Sequence, residues 1–139
     1  LIEEKPALIP LAVEEFLRYE NSVQTVARVA AEEVEIGGET IAKGDRIYAL
    51  TAAANRDPDR FDEPERFDIT RSQNPHYAFG LGIHLCLGAP LARIEAQVAF
   101  AAVLRRFTGF TLETDAVEWS DEFVTRAQKA LPISWRKRR

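Results

Sequence analysis

Two stretches of the chain carry apolar residues at the spacing of an α-helix. In residues 11–19 the apolar positions are Leu11, Ala12, Phe16, Leu17 and Tyr19, and Pro10 suits the first turn. In residues 90–107 the stripe is wider, with Leu91, Ile94, Val98, Ala101 and Ala102 flanked by Phe100, Val103, Leu104 and Phe107. These patterns predict a first helix and a long, largely buried helix, with Pro90 in its first turn and Gly109 just past its end.

The remaining apolar runs are short and resemble strands. We expect extended segments over 23–29, 34–36, 40–42, 46–51, 110–113, 123–125 and 130–135. Gly37-Gly38 is a hairpin turn signal between the second and third of these. Prolines and charges in residues 55–75 predict an irregular segment with a helical turn.

Composition limits the class of protein. The chain has 139 residues, of which 46% are hydrophobic and 29% charged, so we expect one soluble unit over 1–139. The net charge of -4 argues against general nucleic-acid binding, and the basic end, residues 135–139, is typical of a solvated terminus. A single cysteine, no membrane-spanning run and no visible signal peptide predict a cytoplasmic protein. Since the chain begins with Leu1 and contains no methionine, we do not expect an intact translation product.

The one cysteine, Cys86, lies on a glycine-rich segment just before the long predicted helix. A helix N-terminus favours a thiolate, and glycines let the backbone approach something large and flat. This combination indicates a sulfur ligand to haem iron. Three alternatives stay open: a buried thiol that only packs, a Cys–His nucleophile with His84, and a zinc site formed by His76, His84 and Cys86.

Three separated motifs resemble one family. The segment Phe79-x-x-Gly82-x-x-x-Cys86-x-Gly88, continued by Ala89-Pro90-Leu91-Ala92-Arg93-x-Glu95, is similar to the haem-binding loop of soluble bacterial cytochromes P-450. Upstream lie Glu15-x-x-Arg18, and then Asn55-Arg56-Asp57-Pro58 with Pro64-Glu65-Arg66-Phe67. The resemblance implies an α+β fold, the C-terminal and proximal part of that family's fold. Its parts are a Glu-x-x-Arg helix, small β-hairpins, an irregular meander, the cysteine loop, a long buried helix and terminal strands.

The resemblance also implies roles for single residues. Cys86 as thiolate is the axial ligand of haem iron, and the cofactor-binding set is Arg28, Phe79, Gly80, His84, Cys86 and Gly88. Arg28 and His84 match positions that contact the haem propionates, and Phe79 lies beside the sulfur. Glu15, Arg18 and Arg66 match a structural triad in which the Arg66 guanidinium shares the Glu15 carboxylate with Arg18.

The function implied is that of a haem-thiolate monooxygenase, which inserts one oxygen atom from O₂ into a small organic substrate. Its electrons come from a ferredoxin- or flavodoxin-type donor, for which Arg93 matches a docking position. The substrate-facing positions carried over are Gln24, Thr25, Val26, Ala27, Val124 and Thr125. Neither a nucleic acid nor a membrane is expected as a partner.

One departure from the family concerns the distal side of the haem. The oxygen-activating helix with its acid–alcohol pair precedes the Glu-x-x-Arg helix in relatives, and the fourteen residues before Glu15 contain no such pair. We therefore expect no catalytic residue within this chain. The alternative function is a truncated, non-catalytic member that binds haem weakly or not at all and self-associates through its exposed core.

Overall fold

The first predicted helix is present with nearly its predicted bounds. In the computed structural model, which describes residues 1–138, α1 runs Ile9–Tyr19 behind a 3₁₀ turn at Pro6–Leu8, and Pro10 lies in its first turn. The buried side chains of α1 are Ile9, Ala12, Val13, Glu15 and Arg18. Their spacing defines one helix face, so the Glu-x-x-Arg pair points into the protein.

Four short strands follow as two antiparallel pairs. They are β1 (Val26–Val29), β2 (Val34–Ile36), β3 (Glu39–Ile41) and β4 (Arg46–Ala49), and β1 pairs with β4 while β2 pairs with β3. Gly37 and Gly38 form the predicted hairpin turn, both with positive φ.

The strand predicted over 46–51 ends early because the chain turns into a short helix, α2 (Thr51–Ala54). The Thr51 hydroxyl is drawn inward, where it donates a hydrogen bond of 2.8 Å to the Val23 carbonyl. After α2 the chain forms turns and bends without a further α-helix or strand until residue 89, so the irregular segment is confirmed. A 3₁₀ turn at Gly82–His84 lies just before the cysteine.

The long helix, α3, runs Ala89–Arg106 and packs across α1, with the Phe16 and Phe100 ring centroids 4.9 Å apart. The expectation that it is largely buried is wrong for this chain. Only Ala89 is buried, and Leu91, Ile94 and Val98 are each about 60% exposed. A helix with apolar residues on several faces needs neighbours on several sides, and α1 covers only one.

Two terminal strands, β5 (Phe107–Leu112) and β6 (Ile133–Lys137), pair antiparallel and are each displaced from the predicted bounds. Gly109 does not end α3; it lies inside β5 with φ +62°, where the register shifts. The strand predicted over 123–125 is reduced to one bridge between Thr125 and Val23.

The basic end is more structured than a solvated terminus. Residues up to Lys137 belong to β6, and the Arg138 guanidinium pairs with Glu3 at 2.9 Å. Arg139 lies outside the described residues. Among the helices of residues 1–138, none has both the length and the apolar character that crossing a membrane requires.

The core lies around α1 and is unusually polar. Its buried apolar residues are Ile9, Ala12, Val13, Ala30, Phe61 and Ala89, and its buried polar residues are Glu15, Arg18, Asn21, Thr25, Thr51 and Asn55. Buried polar groups need partners, so this region is specified by hydrogen bonds as much as by packing. Those bonds lead to the cysteine segment.

Candidate functional site

Arg18 is fully buried, and each of its five N–H groups has an acceptor. Nε and Nη2 donate to Oε2 and Oε1 of Glu15, both at 2.8 Å. The other three bonds go to backbone carbonyls, those of Asn55 (3.0 Å), Pro64 (2.8 Å) and Arg66 (3.1 Å). A guanidinium presents five donors in a rigid fork, so Arg18 fixes three points of the irregular segment relative to α1.

The Glu15 carboxylate is equally well satisfied. Besides the two bonds from Arg18, it accepts the Asp68 backbone N–H at 2.8 Å and the Asn74 side-chain amide at 3.0 Å. Burial favours the neutral acid, but the hydrogen bonds from Arg18 and Asp68 outweigh it and hold the pKa of Glu15 below its ordinary value. Glu15 is therefore a buried anion that ties the end of the irregular segment to α1.

The guanidinium that approaches Glu15 beside Arg18 is that of Arg71, not Arg66. Arg71 Nε lies 3.4 Å from Glu15 Oε2, too poorly aligned to count as a hydrogen bond, and its side chain is only 13% exposed. The Arg66 side chain is 60% exposed and pairs with Glu63 and Asp68. The predicted contact of the Arg66 guanidinium with Glu15 is thus wrong, since Arg66 reaches the network only through its carbonyl.

Asn55, whose role the sequence did not reveal, connects this network to the cysteine segment. It is fully buried; its carbonyl accepts from Arg18, and its Oδ1 accepts the Tyr77 N–H at 2.7 Å. Its place in the motif Asn55-Arg56-Asp57-Pro58 was the only feature of the sequence that pointed to a role for this residue. Because its backbone carbonyl and its side chain are both hydrogen-bonded, this buried residue fixes two irregular backbone segments relative to each other.

The segment from Tyr77 to Cys86 closes on itself through backbone hydrogen bonds. Gly80 N–H donates to the Tyr77 carbonyl and Cys86 N–H donates to the Phe79 carbonyl, both at 2.9 Å. Gly80 and Gly82 have positive φ, which a turn this tight demands and other residues rarely adopt. The loop presents the thiol two residues before the helix N-cap, Gly88, and a Cβ added there would lie 3.8 Å from Cys86 Sγ.

The geometry argues against two of the three alternatives for Cys86, the thiol that only packs and the zinc site. Its side chain is exposed, which contradicts a thiol that only packs in a core. His76 contacts Glu14 rather than the thiol. Within residues 1–138, no group of three or more His, Cys, Asp or Glu side chains is arranged to hold a metal ion.

A cavity of about 780 Å³ lies against the cysteine loop. Five predicted cofactor-binding residues line it: Arg28, Phe79, Gly80, His84 and Cys86. Apolar residues form most of the rest of its wall: Leu17, Val23, Val26, Ala49, Leu50, Ala54, Ala78, Leu81 and Ala92. Gly88 lies outside it.

The residues at this cavity fit a haem. A porphyrin has a large apolar face, two anionic propionates and an iron that accepts a sulfur ligand. The wall supplies apolar surface, the exposed side chains of Arg28 and His84 supply hydrogen-bond donors, and Cys86 supplies the sulfur. The volume is within the range of cofactor sites in general.

The predicted substrate-facing residues divide into two groups. Val26 lines the cavity. The others are absent from its wall: Gln24, Thr25, Ala27, Val124 and Thr125. Thr25 is buried and donates to the Ala49 carbonyl, while the Gln24 N–H bonds to the Val124 carbonyl. These two hydrogen bonds join the segment of Gln24 and Thr25 to two other parts of the chain.

Arg93, predicted as a docking cation, is engaged within the chain. Its Nε and Nη2 donate to the two oxygens of Glu14, at 2.7 and 2.9 Å. The same Glu14 contacts His76 Nε2 at 2.9 Å. Burial favours the acid, yet these bonds from Arg93 and His76 prevail and hold the pKa of Glu14 below its ordinary value. Sequence spacing gave no sign of this cluster, because Glu14 lies more than sixty positions from both His76 and Arg93.

Comparisons with known proteins agree with this geometry. The sequence model of the family described as Cytochrome P450 matches residues 7–135. The biotin biosynthesis cytochrome P450 of Bacillus subtilis is 48% identical over 134 residues, covering 96% of this chain and 34% of that protein. For 6-deoxyerythronolide B hydroxylase of Saccharopolyspora erythraea the identity is 44%, covering 96% of this chain and 33% of that protein. This chain thus spans about a third of the length of these relatives.

Solved structures show the same likeness. P450BioI, in complex with an acyl carrier protein ligated to hexadec-9Z-enoic acid, superposes with a TM-score of 0.93 at 48% identity, covering 97% of this chain and 35% of that one. The tirandamycin C-bound P450 monooxygenase TamI superposes with a TM-score of 0.91 at 43% identity, covering 95% of this chain and 34% of that one. Sequence and fold lead to the same assignment, and the chain belongs to the cytochrome P450 family.

Proposed function

We propose that this chain forms the thiolate-bearing side of a haem monooxygenase. The reaction is insertion of one oxygen atom from O₂ into a small organic substrate, with electrons from a redox partner of the ferredoxin or flavodoxin type. The observation that supports this most directly is the convergence of Cys86, Arg28 and His84 on one largely apolar cavity. The names of the relatives, a hydroxylase among them, support the reaction class.

The residues present divide the work of holding haem. Cys86 binds the iron through its sulfur, and Arg28 and His84 bind the propionates by charge-assisted hydrogen bonds. Phe79 and the apolar wall exclude water from the sulfur side, which tunes the iron. Bound haem supplies the activation of O₂, which electron donation from the thiolate assists. Glu15, Arg18 and Asn55 act at a distance, by holding the cysteine loop against α1.

The substrate and the electron donor belong to the same proposal. Val26, on the cavity wall, is the carried-over residue best placed to meet a substrate. Arg93 remains a docking prediction for the donor, and about a third of its side chain is exposed.

The test is an absorption spectrum of the purified chain loaded with haem, reduced and exposed to carbon monoxide. We expect a strongly red-shifted Soret band in the native sequence and its loss in Cys86→Ala. Ser72→Ala, which removes one side-chain atom from an exposed residue outside the cavity wall, is the matched control and should keep the band. A band that survives Cys86→Ala, or no specific haem binding at all, would overturn thiolate ligation by this chain.

A second candidate function is non-catalytic self-association. It is favoured by the solvent-facing apolar side chains of α3, of which Leu91, Ile94 and Val98 are about 60% exposed. A patch of this kind commonly marks an interface. Sedimentation across a hundredfold concentration range tests it. The proposal is supported if the chain associates and the double variant Ile94→Lys, Val98→Lys does not. A monomer throughout the concentration range excludes it.

A further inference from the structure

A three-residue cluster couples α1 to the segment that carries the proposed ligand. Glu14 on α1 receives a bidentate pair of hydrogen bonds from Arg93 on α3 and a third bond from His76. The Arg93 guanidinium lies over the Phe79 ring, 4.8 Å from its centroid. Three parts of the chain far apart in sequence therefore meet at a single carboxylate.

The backbone shows how His76 is protonated within the cluster. Its Nδ1 accepts the Ala78 N–H at 3.2 Å, so that nitrogen carries no proton and the hydrogen lies on Nε2, which faces Glu14. His76 is thus a neutral donor to Glu14. Its side chain is 2% exposed, and burial lowers its pKa, in agreement with this tautomer.

Phe79 connects the cluster to the cysteine. Its ring lies under Arg93 and lines the cavity, and its carbonyl accepts the Cys86 N–H at 2.9 Å. A guanidinium stacked on an aromatic face restrains the ring, and the bidentate bond to Glu14 restrains the guanidinium in turn. Displacement of Phe79 would disturb the hydrogen bond that holds Cys86.

We propose that Arg93, held by Glu14 and stacked on Phe79, is a positioning residue that fixes the backbone of Cys86 for haem ligation. This inference rests on the proposed function, because it concerns the residue that binds iron there. The structural role proposed for Arg93 is independent of whether its exposed part also contacts an electron donor.

The experiment compares amide hydrogen exchange, residue by residue, in the haem-free chain and in Arg93→Lys. Lysine keeps the charge but loses the fork and the planar stacking. We expect exchange of the Cys86 amide to become about fivefold faster, while the α1 amides keep their rates. Arg126→Lys is the matched control, because Arg126 also pairs with a carboxylate, that of Glu20, and stacks on a ring, that of Trp119.

A double-mutant cycle distinguishes positioning through Phe79 from general support. In a Phe79→Leu background, Arg93→Lys should add little to the Cys86 exchange rate. Fully additive effects, an unchanged Cys86 rate in Arg93→Lys, or an equal rise in Arg126→Lys would each overturn the proposal. If Arg93→Lys unfolds the whole chain, the same comparison is made with Glu14→Gln. That variant weakens the bonds from Arg93 and His76 but leaves the Arg93 side chain in place, and it decides between the same outcomes.

A second readout uses the haem-loaded chain. The share of the red-shifted carbon monoxide band should fall in Arg93→Lys and stay unchanged in Arg126→Lys. Should the native chain show no such band, the proposed function fails. The exchange experiment still decides whether Arg93 fixes Cys86, because it needs no haem.

Discussion

Glu15 and Arg18, one turn apart on α1, form a bidentate ion pair that is closed to solvent. Both N···O distances are 2.8 Å, and neither side chain has any exposed surface. Such a pair contributes little by its charges alone, because burying them costs about as much as their attraction returns. The pair matters for stability because removing one partner leaves the other charge buried and unpaired.

Glu15→Gln should lower the free energy of unfolding by about 3–5 kcal/mol, because it leaves the Arg18 guanidinium buried without a counter-charge. Urea denaturation measures this loss. Glu63→Gln is the control: it removes a carboxylate that also pairs with an arginine at i+3, Arg66, but both of those side chains are more than half exposed. A loss in Glu15→Gln no greater than in the control would contradict the role assigned to the buried pair.

Arg71→Ala should destabilise the chain more than Arg66→Ala. The Arg71 guanidinium is nearly buried beside Glu15 and donates to the Asp62 carbonyl at 2.9 Å, so its loss should cost about 1–3 kcal/mol. Arg66→Ala leaves the residue 66 backbone carbonyl, which accepts from Arg18, in place. It removes only exposed ion pairs, which are worth less than about 1 kcal/mol. If urea denaturation shows equal losses of unfolding free energy, or a larger loss for Arg66→Ala, then Arg66 rather than Arg71 is the third member of the triad.

Stability should fall with acid in two ranges of pH. Burial lowers the pKa of His76 from its ordinary 6.5 while Glu14, Arg93 and Arg18 face it, so below about pH 6.5 the unfolded chain binds a proton that the folded chain resists. The pKa values of Glu14 and Glu15 are held below 4.5, so their contribution is complete above that pH and is lost as the pH falls through the folded values.

Urea denaturation between about pH 2 and pH 8 follows both effects. His76→Gln should flatten the upper range, because the titrating group is gone. The same substitution at the exposed His84 serves as the control and should leave that range in place. An unchanged profile in His76→Gln would show that the buried imidazole does not cause the upper loss.

Arg28→Gln and His84→Gln should each weaken haem binding by about two- to fivefold, because each replaces a side chain proposed to bind a propionate with an uncharged amide. The thiolate-type band should remain, since Cys86 is untouched. Haem titration followed by absorbance gives the affinities. Arg46→Gln, on the strand paired with that of Arg28 but outside the cavity wall, should bind haem as the native chain does. A loss in that control equal to the loss in Arg28→Gln would show a general effect of positive charge instead.

Local patterns in the sequence predicted local structure well. Apolar spacing and Pro10 located α1, the paired glycines located the turn between β2 and β3, and the three motifs identified the family. These features depend on residues a few positions apart, whose geometry follows from helix and strand periods. Gly109 shows the limit: beyond a helix end it resembles a stop signal, yet its place in a bulge depends on the partner strand β6.

The sequence by itself determined the family, the position of Cys86 in a tight loop before a helix, and the pairing of Glu15 with Arg18. Only the tertiary structure decided that Arg71 faces Glu15, that Glu14 joins Arg93 to His76, and that most of α3 stays exposed in this chain. The reason is physical. A side chain three positions away on a helix has a fixed direction, whereas partners more than fifty positions apart depend on how the whole irregular segment folds back on α1.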